Sequence, residues 1–133
     1  NQDLKNEWAH LRFYLHHGSM VTGLHCHEYK EMFLEHAASE MNQVSEFSDL
    51  ILGLGGLPTI ESNEFPVFSS PKDIMEYALY MENLVVSNYV QRLKNASELG
   101  GTDGPWLEIF LEKQIEHSRM DVDHFKQILR GIA

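Results

Sequence analysis

The sequence predicts an all-α chain, a four-helix bundle with a long crossover between the second and third helices. Three observations predict it. Apolar residues recur at three- and four-residue spacing through four long stretches, with no strand-period segment competing. Two connections are short and contain glycine, whereas the one from Gly55 to Ser70 runs about 16 residues, too long for a tight antiparallel link. Finally, 133 residues at 43% hydrophobic composition suit one core, so 1–133 reads as a single domain.

The first helix is expected over 3–17, with Leu4, Trp8, Leu11 and Leu15 on one face and Asp3 as its N-cap. Gly18 and Gly23 bracket the short connection that follows. The second helix runs from Leu24 to Leu54, about 30 residues, or about 45 Å at 1.5 Å per residue. Phe33, Val44, Phe47, Ile51 and Leu54 form its apolar stripe. Pro58 and Pro66 mark the crossover. Ser70-Pro71-Lys72-Asp73 is a good helix start: Ser70 can cap, Pro71 suits the first position and Asp73 favours the positive end of the dipole. This third helix extends to about Leu99, where Gly100-Gly101 stops it. The fourth starts at Gly104-Pro105 and ends near Gly131, with Leu107, Phe110, Leu111, Val122, Phe125, Leu129 and Ile132 on one stripe.

Charge narrows the partners. Twenty acidic residues against ten basic ones give a formal net charge of −10 with no basic cluster, which argues against nucleic acid and leaves metal cations as natural partners. The single cysteine, Cys26, excludes an internal disulfide framework and fits a reducing compartment, hence a cytoplasmic location. No run of about 18 apolar residues is present and the polar start Asn1-Gln2-Asp3 has no signal-peptide character, so no membrane partner is expected.

The chemistry lies in carboxylates aimed at the core. Glu40 falls near the centre of the second helix's stripe, with His36 and Gln43 beside it. Glu7 lies in or beside the first stripe and Glu82 lies in the third, between Ala78 and Val85. Each is followed seven residues later by a tyrosine, Tyr14 and Tyr89, a weak internal repeat. Burial of unpaired carboxylates costs several kcal/mol each, so such groups pair with a base or bind a metal. Few inward basic residues are on offer, which favours metal over ion pairs with Lys or Arg.

Di-iron bundles take a single Glu from two helices and Glu-x-x-His from the other two. Glu7 and Glu82 fill the single roles, and Glu40-x-x-Gln43 has the i, i+3 spacing with an amide as the weaker donor. On the fourth helix, phase places Gln114, Ser118 and Asp121 inward and Glu116 outward. Ser118-x-x-Asp121 is the preferred pair, Asp121-x-x-His124 the rival, and Asp121 belongs to both. The expected metal ligands are Glu7, Glu40, Gln43, Glu82 and Asp121. Tyr14 and Tyr89 read as core residues rather than redox relays. His36 is equally a further ligand or a bundle histidine, and His25-Cys26-His27 reads as incidental.

Together these features resemble the ferritin-like superfamily, and bacterioferritins most closely. The resemblance covers nearly the whole chain: Glu7 through Tyr14, Glu40-Met41-x-Gln43 running into Gly56-Leu57-Pro58, Glu82, and Val122-Asp123-His124-Phe125. It implies a di-iron centre at Glu7, Glu40 and Glu82, in which iron is oxidised by dioxygen or peroxide. Gln43 and Asp121 stand in place of the family's histidines, and Ser118 in place of a bridging glutamate. Met41 aligns with the methionine that binds haem between bacterioferritin subunits, but a helix-flank methionine reads as dimer packing, so haem is not expected. A homo-oligomer, dimer or larger, is implied. The sequence stops where bacterioferritins continue into a fifth helix, so a closed storage cage is not expected. The expected function is binding and oxidation of Fe(II). The alternatives are an assembly or interaction module with a decayed metal site, and an oxidase of an organic substrate.

Overall fold

Residues 1–131 are described by a computed structural model, in which four helices succeed one another: α1 (Gln2–Met20), α2 (Cys26–Gly53), α3 (Pro71–Ala96) and α4 (Asp103–Gly131). No strand occurs among the described residues. Ile132, assigned above to the fourth stripe, lies outside them. The chain divides into two units, Asn1–Ile74 and Met75–Ala133.

The first unit holds α1, α2 and the crossover. Gly18 does not end the first helix, as its composition suggested. It lies inside α1, where a Cβ would come within 3.2 Å of Leu34 Cδ2 and 3.4 Å of Phe33 Cβ, so its smallness serves the close approach of α2. Asn1 rather than Asp3 occupies the cap position, and its side chain makes no capping bond. The buried face of α1 carries Leu4, Glu7, His10, Phe13, Tyr14 and His17, while Leu15, expected inside, is 52% exposed.

The turn into α2 uses Gly23 (φ 90°) and His25 (φ 70°), and α2 begins two residues later than expected, at Cys26. It ends in a Schellman closure. Gly56 N–H donates to Ile51 O at 2.9 Å and Gly55 N–H to Leu52 O at 3.0 Å, and Gly55 takes the left-handed φ of 91° that the motif requires. Leu54, expected on the stripe, is therefore beyond the helix and exposed.

The crossover runs along α1 in the same direction. Thr59 N–H donates to Asn1 Oδ1 at 2.9 Å, Trp8 Nε1 donates to Thr59 O at 2.9 Å, and Asn63 N–H donates to Lys5 O at 3.2 Å. Further along, Phe65 packs edge-on against Phe13 at 5.9 Å, and Phe68 N–H donates to His17 Nε2 at 3.0 Å. A segment without helix of its own thus satisfies its backbone on α1. The unit closes at the start of α3, where Ser70 Oγ accepts the Asp73 N–H at 3.1 Å, the cap read from the sequence.

In the second unit α3 buries Met75, Ala78, Met81, Glu82, Val85, Tyr89 and Ala96. It stops at Ala96, three residues short of the expected end, as Leu99 N–H turns back to Ala96 O at 3.1 Å. Gly104 sits at the start of α4 because a Cβ there would lie 2.6 Å from Leu99 O. The α4 stripe has the expected phase: Phe110, Leu111, Val122 and Phe125 are buried, and Leu107 and Leu129 are half-buried.

Candidate metal centre

Side chains three apart on a helix share a face, so Glu7 and His10 project together from α1, as do Glu40 and Gln43 from α2. The α1–α2 hairpin brings three of these into one cluster. A carboxylate oxygen of Glu7, a ring nitrogen of His10 and a carboxylate oxygen of Glu40 lie within 4.8 Å of one another. His10 Nδ1 stands 3.8 Å from Glu40 Oε1. Glu7 and Glu40 are each 2% exposed and His10 is 4% exposed. Gln43 is also buried, and its Oε1 makes no hydrogen bond among the described residues.

Of the residues expected as ligands, the structure brings together Glu7 and Glu40 and sets Gln43 one turn farther along the same buried face of α2. Glu82 and Asp121 belong to the second unit. Glu82 is fully buried on α3. Asp121 lies at the edge of the buried face of α4, and its Oδ2 is 3.5 Å from His117 Nε2. Ser118 and Gln114 are buried on the same helix, whereas Glu116 and His124 are exposed. His36 is half-buried and stacks on the ring of Tyr14 at 5.1 Å.

His10 escaped the sequence reading. Its signal was present as Glu7-x-x-His10, an i, i+3 pair of good donors, but the stripe drawn through Trp8, Leu11 and Leu15 turned His10 away from the core. The crossover explains the error. It covers a second side of α1 through Trp8, Phe13 and His17, so the apolar residues of α1 do not mark a single inward direction.

Two carboxylates and an imidazole form a mixed oxygen and nitrogen set suited to Fe(II), Mn(II), Co(II) or Zn(II). Two tests of fit are met. Two carboxylates and an imidazole are buried side by side, and Gln43 Oε1 is a buried acceptor with no hydrogen bond among the described residues. A groove of about 670 Å³ between α1 and the crossover is lined by Arg12, Leu15, His16, Phe65 and Val67 among others, and includes none of the four donors.

The Ferritin-like domain model matches residues 1–132. No curated protein matches the chain. The chain is similar to the crystal structure of a ferritin-like, diiron-carboxylate protein from Bacillus anthracis str. Ames, with a TM-score of 0.89 and 22% identity. The match covers 97% of this chain and 91% of that one. At this identity the likeness carries the fold: all-α, a ferritin-like four-helix bundle with a long crossover between the second and third helices.

Proposed function

The chain belongs to the ferritin-like domain family, and on that premise we propose that it is a di-metal carboxylate protein that binds Fe(II) and oxidises it. The observation that carries the proposal is the buried cluster of Glu7, His10 and Glu40. These three and Gln43 are the donors we assign in the first unit, and Glu82 and Asp121 those we assign in the second. Bound iron would supply one-electron chemistry toward dioxygen or peroxide. The chain's own contribution is electrostatic. Carboxylates held away from water favour the more highly charged metal ion, because they offset its charge in a medium where water cannot. His10 adds a neutral donor that leaves that balance unchanged.

Assembly as a homo-oligomer fits the exposed apolar side chains Met41, Leu57 and Ile60, and a cytoplasmic setting fits the free thiol of Cys26. One second reading has an observation in its favour. Gln43 and Ser118 put neutral groups at buried positions, as a decayed centre in an assembly module would.

Metal analysis separates the two. Metal-free protein is titrated anaerobically with Fe(II), desalted, assayed for iron and then exposed to air while ferric absorbance is followed. Retention of about two Fe(II) per chain, and oxidation faster than in buffer, is expected of a di-iron bundle. Iron at the level of a protein-free blank would overturn the proposal in favour of the decayed module.

A further inference from the structure

We infer that the groove between α1 and the crossover binds a small zwitterion with an apolar side chain, an α-amino acid or a compound built like one, whose carboxylate meets Arg12 and whose ammonium meets Glu64. The site stands apart from the metal reading, because none of the donors assigned above lines the groove.

Two rows of residues build it. On α1, Arg12, Leu15, His16 and Ser19 are three or four residues apart and so share one face, about 10 Å from end to end. On the crossover, Glu64, Phe65 and Val67 form the opposite row. That row is fixed at both ends, by the Asn63 N–H bond to Lys5 O at 3.2 Å and the Phe68 N–H bond to His17 Nε2 at 3.0 Å, so the groove is formed before any ligand arrives. At about 670 Å³ it has the size of a small-molecule site.

Two opposite charges line this groove, yet they do not pair. Arg12 sets its guanidinium over the Phe65 ring, 5.6 Å from the centroid, and neither Arg12 nor Glu64 has an ion pair among the described residues. Each keeps its charge for an outside partner. Beside them Leu15 and Val67 are 52% and 55% exposed, apolar surface that a ligand's side chain would cover. Charge then selects the ligand. A simple carboxylate would meet Glu64 and a net charge of −10, and a simple amine would meet Arg12. A zwitterion satisfies both groups, carries no net charge, and offers Arg12 the planar carboxylate that its fork grips at two points.

The test is a titration of the isotope-labelled full chain with L-phenylalanine, followed by amide chemical shifts. Saturable shifts should cluster on Ser19, Glu64, Phe65 and Val67. Hydrocinnamate, which lacks the ammonium, and phenethylamine, which lacks the carboxylate, should each bind about fivefold more weakly or worse, the upper range for solvent-exposed charge pairs. Glycine, with both charges and no apolar side chain, should leave these amides unshifted. Glu64→Gln and Arg12→Gln should each weaken L-phenylalanine by a similar factor with helix content unchanged by circular dichroism, and Arg12→Lys should restore part of the loss. Arg12 also touches Phe65, so Glu64→Gln carries the test if Arg12→Gln loosens the crossover. Absence of saturable shifts in the groove with L-phenylalanine would overturn the inference. Equal binding of hydrocinnamate would overturn it in favour of a carboxylate site. Shifts of the same amides on dilution of the protein alone would overturn it in favour of a second copy of the chain covering the groove.

Discussion

His17 fastens the crossover to α1 through both ring nitrogens: Nδ1 donates to the Phe13 carbonyl at 2.8 Å and Nε2 accepts the Phe68 N–H at 3.0 Å. Only the neutral imidazole carrying its proton on Nδ1 can do both. Burial pushes its pKa below 6.5, the bond to the Phe13 carbonyl works in the opposite direction, and the neighbouring His16 lowers it further. In the unfolded chain the ring takes its proton near 6.5, whereas the folded chain holds the proton off to lower pH. Between those two values the unfolded state binds more protons, so stability rises with pH. The contribution is fully present above about pH 6.5 and is lost as pH falls toward the folded value.

His17→Phe keeps a ring against Phe65 but leaves the Phe68 N–H without its acceptor. At pH 7.5 it should cost about 1–2 kcal/mol. Thermal unfolding of both proteins between about pH 5 and pH 8 checks the assignment. The gap should narrow on acidification, and a constant gap would mean that His17 protonation is not the linked event.

How much of this was legible in the sequence differs from helix to helix. The buried residues of α4 follow one stripe, so its apolar phase separates buried Gln114 and Ser118 from exposed Glu116 and His124. The inward turn of Glu40 and Glu82 was legible because each sits among apolar neighbours at helical spacing, whereas Glu7 was read only as lying in or beside its stripe. α1 was not legible. Its contacts with the crossover join residues 51 positions apart, Trp8 with Thr59 and His17 with Phe68, and no local period encodes such pairing. His10 was lost with that phase. Gly18 misled as well, because a glycine that lets two helices approach looks in sequence like one that ends a helix.

Gly104 admits no side chain, because a Cβ would meet Leu99 O at 2.6 Å and Ala96 O at 3.1 Å, both backbone atoms that cannot swing aside. Gly104→Ala should destabilise the fold by about 1–3 kcal/mol despite the better helix propensity of alanine. Gly53→Ala, where a Cβ meets nothing within 4 Å, is the control and should be neutral or slightly stabilising. Urea unfolding midpoints of the two variants decide the matter, and equal midpoints would mean that the Leu99 turn yields easily.

Glu40→Ala should abolish most metal binding while leaving helix content nearly unchanged, since the side chain supports the cluster rather than the helix. Relief from burying a carboxylate should also raise the melting temperature of the metal-free protein. Inductively coupled plasma metal analysis gives the first quantity and calorimetry the second. Metal content equal to wild type would remove Glu40 from the centre.

Gln43→His replaces a neutral oxygen donor with imidazole at the same i, i+3 spacing from Glu40. Affinity for Fe(II) and Zn(II) should rise about tenfold or more, because the buried Oε1 shows that the position has an unmet demand for a partner. Competition against a chelator of known affinity measures it. Weaker binding in this variant would place Gln43 outside the coordination sphere.

On α4 the assignment turns on one face of one helix. The helix is unbroken from Asp103 to Gly131, so the phase set by Phe110 and Leu111 carries through to Val122 and Phe125 without a shift of register. Asp121 lies beside buried Val122 with its side chain 15% exposed, whereas Glu116 and His124 point to solvent. Asp121→Ala should therefore weaken metal binding, while Glu116→Ala and His124→Ala should leave it within about twofold, since exposed side chains away from a site contribute little. His117 is the informative control, because its Nε2 stands 3.5 Å from Asp121 Oδ2. If Asp121 serves only that pair, His117→Ala and Asp121→Ala should lose similar stability with metal affinity intact. If Asp121 is a ligand, its removal lowers affinity far more than removal of His117, which would only orient the carboxylate. Mn(II) affinities and melting temperatures of the four variants separate these cases, and a loss confined to His124→Ala would move the α4 donor to that residue.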